Sequence, residues 1–182
     1  MVHTREIVRG MQKLKSLSLR NITNDDLQWL VDLHNDPLVL RNVTDPNPID
    51  MVDQKKWFTS INENPRQERM IFEIRGRPAG IAKFYDIDQT NHCCVLGADL
   101  HKDFRGKKLS KFMWNLMLDY CFNQLHMHRV SLTVAEYNVI AKHVYSSLGF
   151  KEEGRLCQSL YRDGHYFDQV CMVMFANVTS SI

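Results

Sequence analysis

The 182-residue sequence has few of the features that mark membrane, secreted or metal-binding proteins. It contains no run of about 18 apolar residues and no N-terminal apolar core, so we expect no membrane span and no secretory signal. The five cysteines have no CxxC spacing, which favours free thiols in a cytoplasmic protein. His126 and His128 have no third ligand at a suitable spacing, so we expect no metal site.

The sequence also has no large excess of charge of either sign, because it contains 23 Lys and Arg residues and 21 Asp and Glu residues. Proteins that bind nucleic acid usually carry a strong basic excess, so we expect neither a nucleic-acid nor a membrane partner. The composition is 44% hydrophobic and 24% charged, which is ordinary for a globular domain. We expect a single domain at 13–177, with a flexible arm at 1–12 and a tail at 178–182.

Hydrophobic periodicity predicts seven strands and four helices. The strands are expected at 13–20, 70–74, 79–87, 93–100, 129–137, 154–162 and 166–175. The helices are expected at 25–36, ending before Pro37, and at 51–64, 107–125 and 138–149. The apolar side of the second helix is expected to consist of Val52, Trp57, Phe58 and Ile61. Asp163-Gly164 indicates a tight hairpin between the last two strands. This order predicts an α+β sheet with helices on its faces.

One junction carries much of the chemical information. The strand at 93–100 runs directly into HKDFRGKKLS, which opens the long helix. Free N–H groups at a helix start attract anions, and Arg105, Lys107 and Lys108 add positive charge, while Gly106 permits close backbone approach. The junction therefore favours a pyrophosphate site, although a solvated basic helix start would show the same residues. The absence of GxxxxGK[ST] and GxGxxG excludes a P-loop and a dinucleotide fingerprint.

A second feature follows about 30 residues later. Asn138, Ala141 and Tyr145 occupy one face of the helix that ends at Gly149-Phe150, and Glu152-Glu153-Gly154 follows. With the basic junction, this pattern resembles the GNAT superfamily of acyl-CoA-dependent N-acetyltransferases over residues 12–175. It is most similar to the subgroup of spermidine, ribosomal-protein and nucleotide-amino-sugar acetyltransferases.

The resemblance implies a mostly antiparallel, seven-stranded mixed sheet whose central strands splay apart to receive acetyl-CoA as cosubstrate. A backbone N–H near residues 99–101 would polarise the thioester carbonyl, and Asn138 would hold the pantetheine arm. The residues implied to bind the cosubstrate are Asp99, Leu100, His101, Arg105, Gly106, Lys107, Lys108, Leu109, Ser110, Asn138 and Lys142. The loop departs from the family pattern [QR]-x-x-G-x-[GA], since Lys108 and Ser110 replace its two small residues.

The resemblance also implies catalytic roles. Tyr145 is expected to act as the general acid that protonates the departing thiolate, because a phenol is protonated at neutral pH. The general base is less defined. Thr133 stands where some relatives carry an acid, so Glu136 is the favoured base, and Asp99, Glu73 and His101 are further candidates.

The acceptor pocket is expected between segments 35–65 and 155–170, where the charges are mixed. Acidic residues suited to a polyamine are Asp36, Asp45, Asp50, Asp53, Asp163 and Asp168. Basic residues suited to a nucleotide are Arg41, Lys55, Lys56, Arg155, Arg162 and His165. The favoured acceptor is a 4-amino-4,6-dideoxy sugar linked to UDP or dTDP. A polyamine or a protein N-terminus could replace it as acceptor, or the chain could be a non-catalytic acyl-CoA-binding or interaction domain. We expect a cytoplasmic monomer or homodimer.

Overall fold

The computed structural model describes residues 16–176 and shows seven strands and five α-helices within them. The strands are β1 (Leu17–Asn21), β2 (Glu68–Ile74), β3 (Arg77–Asp88), β4 (Cys93–Leu100), β5 (Arg129–Ala135), β6 (Lys151–Arg162) and β7 (His165–Phe175). The helices are α1 (Leu27–His34), α2 (Pro37–Asn42), α3 (Met51–Glu63), α4 (Ser110–Asp119) and α5 (Val139–Leu148). The predicted arm at 1–12, the first residues of the first predicted strand at 13–15 and the predicted tail at 178–182 lie outside the described residues.

The sheet has the strand order β1-β2-β3-β4-β5-β7-β6. Every neighbouring pair is antiparallel except β4 and β5, which run parallel. This one parallel pair is short, because only residues 93–95 of β4 and 129–131 of β5 are in register. Beyond these residues the two central strands part. The α+β sheet and its splayed centre, both expected from the sequence, are confirmed.

Local signals explain the ends of several elements. The Asn138 side chain accepts a hydrogen bond from the Ala141 N–H and so caps α5, and Gly149 ends this helix with φ at 108°. Asp163 and Gly164 both have positive φ, as a tight two-residue hairpin turn requires. These two boundaries lie where the sequence predicts them.

Two helices differ from the expectation. Pro37 is the first residue of a further helix, α2, which was not predicted from the sequence. The Asp36 side chain caps this helix by accepting hydrogen bonds from two N–H groups. The long helix predicted at 107–125 begins only at Ser110, because residues 105–108 form a turn, and Tyr120–Gln124 continue it as a π-helix.

Helices cover both faces of the sheet. One face packs α4 and α5 against a large core that includes Phe72, Phe84, Met117, Val130 and Leu132. The other face packs α1, α2 and α3 against a smaller core that includes Leu30, Leu33, Ile71 and Ile81. The prediction that Val52 belongs to the apolar side of α3 is wrong, since its side chain is 58% exposed. Within residues 16–176, no helix is long and apolar enough to cross a membrane.

Candidate active site

The parting of β4 and β5 leaves backbone groups of both strands without a partner strand. The His101 N–H donates to the Ala79 carbonyl at 2.8 Å. The backbone groups of His101 therefore point toward β3. Because antiparallel strands alternate in this way, the N–H of Leu100 points to the opposite side, toward the opening. The Leu100 carbonyl also faces away from β3 and accepts a hydrogen bond from Arg105 Nε at 2.8 Å.

The opening continues into a cavity of about 750 Å³ between the sheet and helices α1 to α3. Parts of β3, β4, β5 and α5 form its walls on the sheet side. Asp99, Leu100, Arg105, Asn138 and Tyr145 all line it. The structure thus brings together, in one cavity, residues from both motifs that the sequence singled out.

Tyr145 contributes its side chain to the lining of this cavity. Its ring meets the Trp114 ring edge-on, with 4.7 Å between centroids, and its hydroxyl has no hydrogen-bond partner among residues 16–176. Burial, and then the nearby Asp99 carboxylate, raise the pKa of Tyr145 well above its usual value. The phenol is therefore fully protonated at neutral pH and can donate a proton.

Asp99 is the carboxylate whose charge acts on this tyrosine. It forms an ion pair with Lys83 of the neighbouring strand β3. Burial alone would lower the pKa of Lys83, but the Asp99 carboxylate outweighs it and the pKa is raised, so the ammonium is charged. The Asp99 carboxylate and the Tyr145 phenol thus place a proton acceptor and a proton donor in one cavity.

The structure does not bring Glu136, the base favoured by the sequence, into this arrangement. Its carboxylate accepts the Asp168 N–H at 2.9 Å and lies 3.7 Å from the Arg155 guanidinium. Glu136 therefore faces the β6–β7 hairpin and not the cavity.

Glu73 and His101 are engaged away from the cavity as well. The Glu73 carboxylate accepts a hydrogen bond from Arg20, and the His101 ring accepts the Asp103 N–H. Among the four residues considered as base, Asp99 alone lines the cavity.

The loop after β4 retains the features of an anion site in part. Gly106 and Lys108 both have positive φ, at 71° and 58°, which curls residues 105–108 ahead of α4. Lys107 and Lys108 are exposed there, while Leu109 and Ser110 form the start of the helix. A left-handed backbone at Lys108 explains why the family pattern has glycine at this position.

Arg105 differs from the two lysines because its guanidinium already forms an ion pair within the protein. Its Nη1 donates to Asp36 Oδ1 at 2.9 Å, across 69 positions of sequence. Burial would raise the pKa of Asp36, but the Arg105 hydrogen bond and charge lower it. Arg105 therefore joins the loop after β4 to the residue that caps α2.

Asn138 makes the corresponding connection after β5. Its Nδ2 donates to Asn42 Oδ1 at 3.0 Å, and the Tyr137 hydroxyl donates to the Arg41 carbonyl at 2.6 Å. Lys142 lies one turn further along α5, half-buried, with its N–H on the Asn138 carbonyl. Helix α2 thus connects the ends of the two splayed strands, held by Arg105 at one end and Asn138 at the other.

Several cavity residues were not singled out from the sequence, and four of them carry polar side chains on α3, β2 and β3. Gln54 of α3 lines the cavity, as do Arg69 of β2 and both Lys83 and Tyr85 of β3. A usable signal was present on β3, because Lys83 and Tyr85 alternate with the buried Ala82 and Phe84. Of the segment 155–170, expected to form half of the acceptor pocket, only Gln169 beside β5 lies against the cavity.

A sheet opened between two central strands, with a basic loop and helix start after one of them, defines a class of acyl-CoA-binding transferases. The family model described as "Acetyltransferase (GNAT) domain" matches residues 16–151. The chain therefore belongs to the GNAT acetyltransferase family. It is an N-acetyltransferase that uses acetyl-CoA as its cosubstrate.

Curated relatives and solved structures agree with this assignment. Spermidine N(1)-acetyltransferase of Escherichia coli (strain K12) is 25% identical over 165 residues, 91% of this chain and 89% of the relative. The enzyme of the same name from Vibrio cholerae is 26% identical over 157 residues, 84% and 88% of the two chains. The structure of spermidine N-acetyltransferase from Vibrio cholerae with CoA and spermine has a TM-score of 0.84 at 23% identity, covering 88% and 96%. A dodecameric structure of that enzyme has a TM-score of 0.77 at 23% identity, covering 88% and 94%.

Proposed function

We propose that this enzyme acetylates a small aliphatic amine that carries a second positive charge, the chemistry of a polyamine. The observation that carries the proposal is the position of two carboxylates. Asp45 and Asp53 line the cavity on the side of α3, and neither forms an ion pair with a described residue. A distal ammonium group of the acceptor would supply the missing positive charge.

The cations considered for a nucleotide are placed differently. None of the six lines the cavity within residues 16–176, and the three arginines are bound elsewhere. Arg41 pairs with Asp163 at 3.1 Å, and Arg155 pairs with Glu152 at 3.0 Å. Arg162 donates to main-chain carbonyls at the C-terminal end of α2 and just after it. None of the six cations on which the nucleotide-linked amino sugar depended is therefore placed to bind a diphosphate in this cavity. The relatives, which act on spermidine, also favour a polyamine-type acceptor.

The geometry suggests how the residues would act. The neutral acceptor amine would attack the thioester carbonyl, forming the C–N bond, while the Leu100 N–H stabilises the charge on the carbonyl oxygen. The amine would lose its proton to Asp99, directly or through water, and the C–S bond would break. Tyr145 would then protonate the departing thiolate. Backbone N–H groups of 106–110 and the charges of Lys107 and Lys108 would hold the pyrophosphate.

The oligomeric state of this chain is a prediction. The related enzyme from Vibrio cholerae forms a dodecamer in one structure. For this chain, the monomer or homodimer expected from the sequence remains the working hypothesis, and sizing of the purified protein tests it.

The test of the acceptor measures thiol release from acetyl-CoA. Spermidine, a dTDP-4-amino-4,6-dideoxy sugar and a peptide with a free N-terminus are supplied separately, and we expect turnover with spermidine. Asp53→Asn keeps the shape of the side chain but removes its charge, and we expect it to raise the KM for spermidine about fivefold. Asp119→Asn, on the exposed side of α4 and outside the cavity, is the matched control. Turnover of the amino sugar or the peptide alone would reject the proposal.

A further inference from the structure

On its sheet side, the cavity is lined by two positively charged strand residues and one negatively charged strand residue. Arg69 of β2 and Lys83 of β3 stand directly opposite each other in the sheet, and both line the cavity. Like charges in opposite positions of neighbouring strands destabilise a sheet. Asp99 neutralises Lys83, but no carboxylate among the described residues pairs with Arg69. One buried positive charge is therefore left without a counter-charge.

Arg69 is held in place without being neutralised. Arg69 is only 7% exposed. Its guanidinium stacks on the Tyr85 ring, with 3.9 Å from Cζ to the ring centroid. Its hydrogen bonds go to neutral oxygens, namely the Glu68 and Phe84 carbonyls and Gln67 Oε1. A buried charge without an opposite charge is costly, so its retention indicates that an anion from outside the chain completes it.

A second, independent residue indicates the same thing. Gln54 projects from α3, which covers this part of the sheet, and it lines the same cavity although it is only 3% exposed. Its Nε2 is sealed from solvent and has no hydrogen-bond partner among residues 16–176. A buried amide without a partner costs roughly 1–3 kcal/mol. Gln54 and Arg69 line the same cavity, so an anionic group bound there would offer oxygen atoms to both side chains.

We propose that this subsite, formed by Gln54 and Arg69, binds a carboxylate of the acceptor, and that the acceptor is therefore a basic amino acid acetylated on its side-chain amine. The inference rests on the proposed function. Asp53, on the same helix as Gln54, would take the α-ammonium group. The sheet separates β2 from β4 by two strand spacings, roughly 10 Å, so a four-carbon side chain can extend from this subsite toward the opening near Tyr145.

The reaction is the same acetyl transfer. The side-chain nitrogen forms a bond to the acetyl carbon, the C–S bond breaks, and the amine proton and the thiolate are handled by Asp99 and Tyr145 as above. What the subsite adds is selection. A diamine that lacks the carboxylate would leave Arg69 and Gln54 without a partner, whereas an amino acid of equal length would satisfy them.

The experiment uses pairs of acceptors that differ only by one carboxylate: lysine against cadaverine, and ornithine against putrescine. We expect kcat/KM for the amino acid to exceed that for the diamine at least tenfold, with the product acetylated on the side-chain nitrogen by NMR. Gln54→Leu should lower the lysine-to-cadaverine ratio at least fivefold, and Gln54→Glu should favour cadaverine. Gln28→Leu, exposed on α1, is the control and should leave the ratio unaltered.

The outcomes separate the two proposals. Equal or better turnover of cadaverine by the unmodified enzyme overturns the carboxylate subsite but leaves the cationic acceptor standing. No turnover of lysine, cadaverine or spermidine rejects both. A purely structural Gln54 also gives a distinct result, because removing a buried unpaired amide would stabilise the fold in thermal unfolding without altering the ratio.

Discussion

At the scale of single residues, identity alone did not reveal which charges are available. Arg105 and Asn138 occupy the motif positions that the sequence indicates, yet Arg105 is paired with Asp36 and Asn138 caps α5 and donates to Asn42. These partners lie 69 and 96 positions away, and no periodicity or spacing encodes such distances. Tyr145, in contrast, follows from its offset within a helix, because helical geometry fixes the face it occupies.

We expect Tyr145→Phe to lower kcat at least tenfold with little change in acetyl-CoA affinity. The substitution keeps the ring that packs on Trp114 and removes only the proton donor. Steady-state kinetics and direct binding of acetyl-CoA measure the two effects. Unaltered turnover would remove Tyr145 from the mechanism.

We expect Arg105→Gln to raise the KM of both substrates. The change loosens the loop that faces acetyl-CoA and also frees Asp36 at the start of α2, which lies against the acceptor cavity. Lys107→Gln removes one exposed charge from the same loop and should raise the KM of acetyl-CoA only. Initial rates with each substrate varied in turn distinguish the two variants, and an Arg105 effect confined to acetyl-CoA would contradict the coupling.

At the scale of elements, the sequence predicted all seven strands, because each strand combines apolar alternation with a recognisable turn. It missed α2, a helix of six residues that follows α1 almost at once. The local signal existed, since Asp36-Pro37 is a capping residue followed by a proline suited to a first helical turn. It also misplaced one residue of α3, where Gln54 rather than Val52 is buried, because the side of α3 toward the sheet borders a cavity instead of a dry core.

Gly80 of β3 allows this strand to approach β4 at the edge of the opening. A Cβ at this position would lie 2.6 Å from the Asp99 carbonyl oxygen and 3.1 Å from Met113 Sδ. We expect Gly80→Ala to lower the free energy of unfolding by about 2 kcal/mol and Tm by roughly 5 °C. It should also weaken acetyl-CoA binding, because the displaced backbone is that of Asp99. Gly154→Ala meets no atom within 4 Å and serves as the control, so equal behaviour of the two variants would contradict this account.

At the scale of the whole molecule, the family and the fold follow from the sequence, while the acceptor does not. The fold depends on patterns spread along the chain, each readable locally. Acceptor choice depends on which charges remain unpaired after folding, and the structure removes Arg41, Arg155 and Arg162 from that set. Such pairing is a property of the tertiary structure, so composition of the pocket segments could not decide between a polyamine and a nucleotide sugar.

Stability should fall in acid for a reason that involves β1 and α1. Burial would raise the pKa of Asp26, but hydrogen bonds from Arg20 and Thr23 lower it. A lowered folded-state pKa contributes stability fully above the unfolded value, near pH 4, and that contribution is lost as pH falls through the folded value. We expect Asp26→Asn to cost about 3 kcal/mol at pH 7 and to flatten the loss of stability in acid. Denaturant unfolding at several pH values measures both, and parallel curves for the two proteins would contradict the assignment.

The parting of β4 and β5 has a consequence for the protein when no acetyl-CoA is bound. Unpaired strand backbone is a template for intermolecular pairing wherever it occurs, and here it lies in the middle of a sheet rather than at its rim. A pantetheine arm lying along these strands would occupy the same hydrogen-bonding groups that a strand from a neighbouring molecule would seek. The cosubstrate would then act as a guard against aggregation as well as a reactant, and refolding yields should rise when it is present.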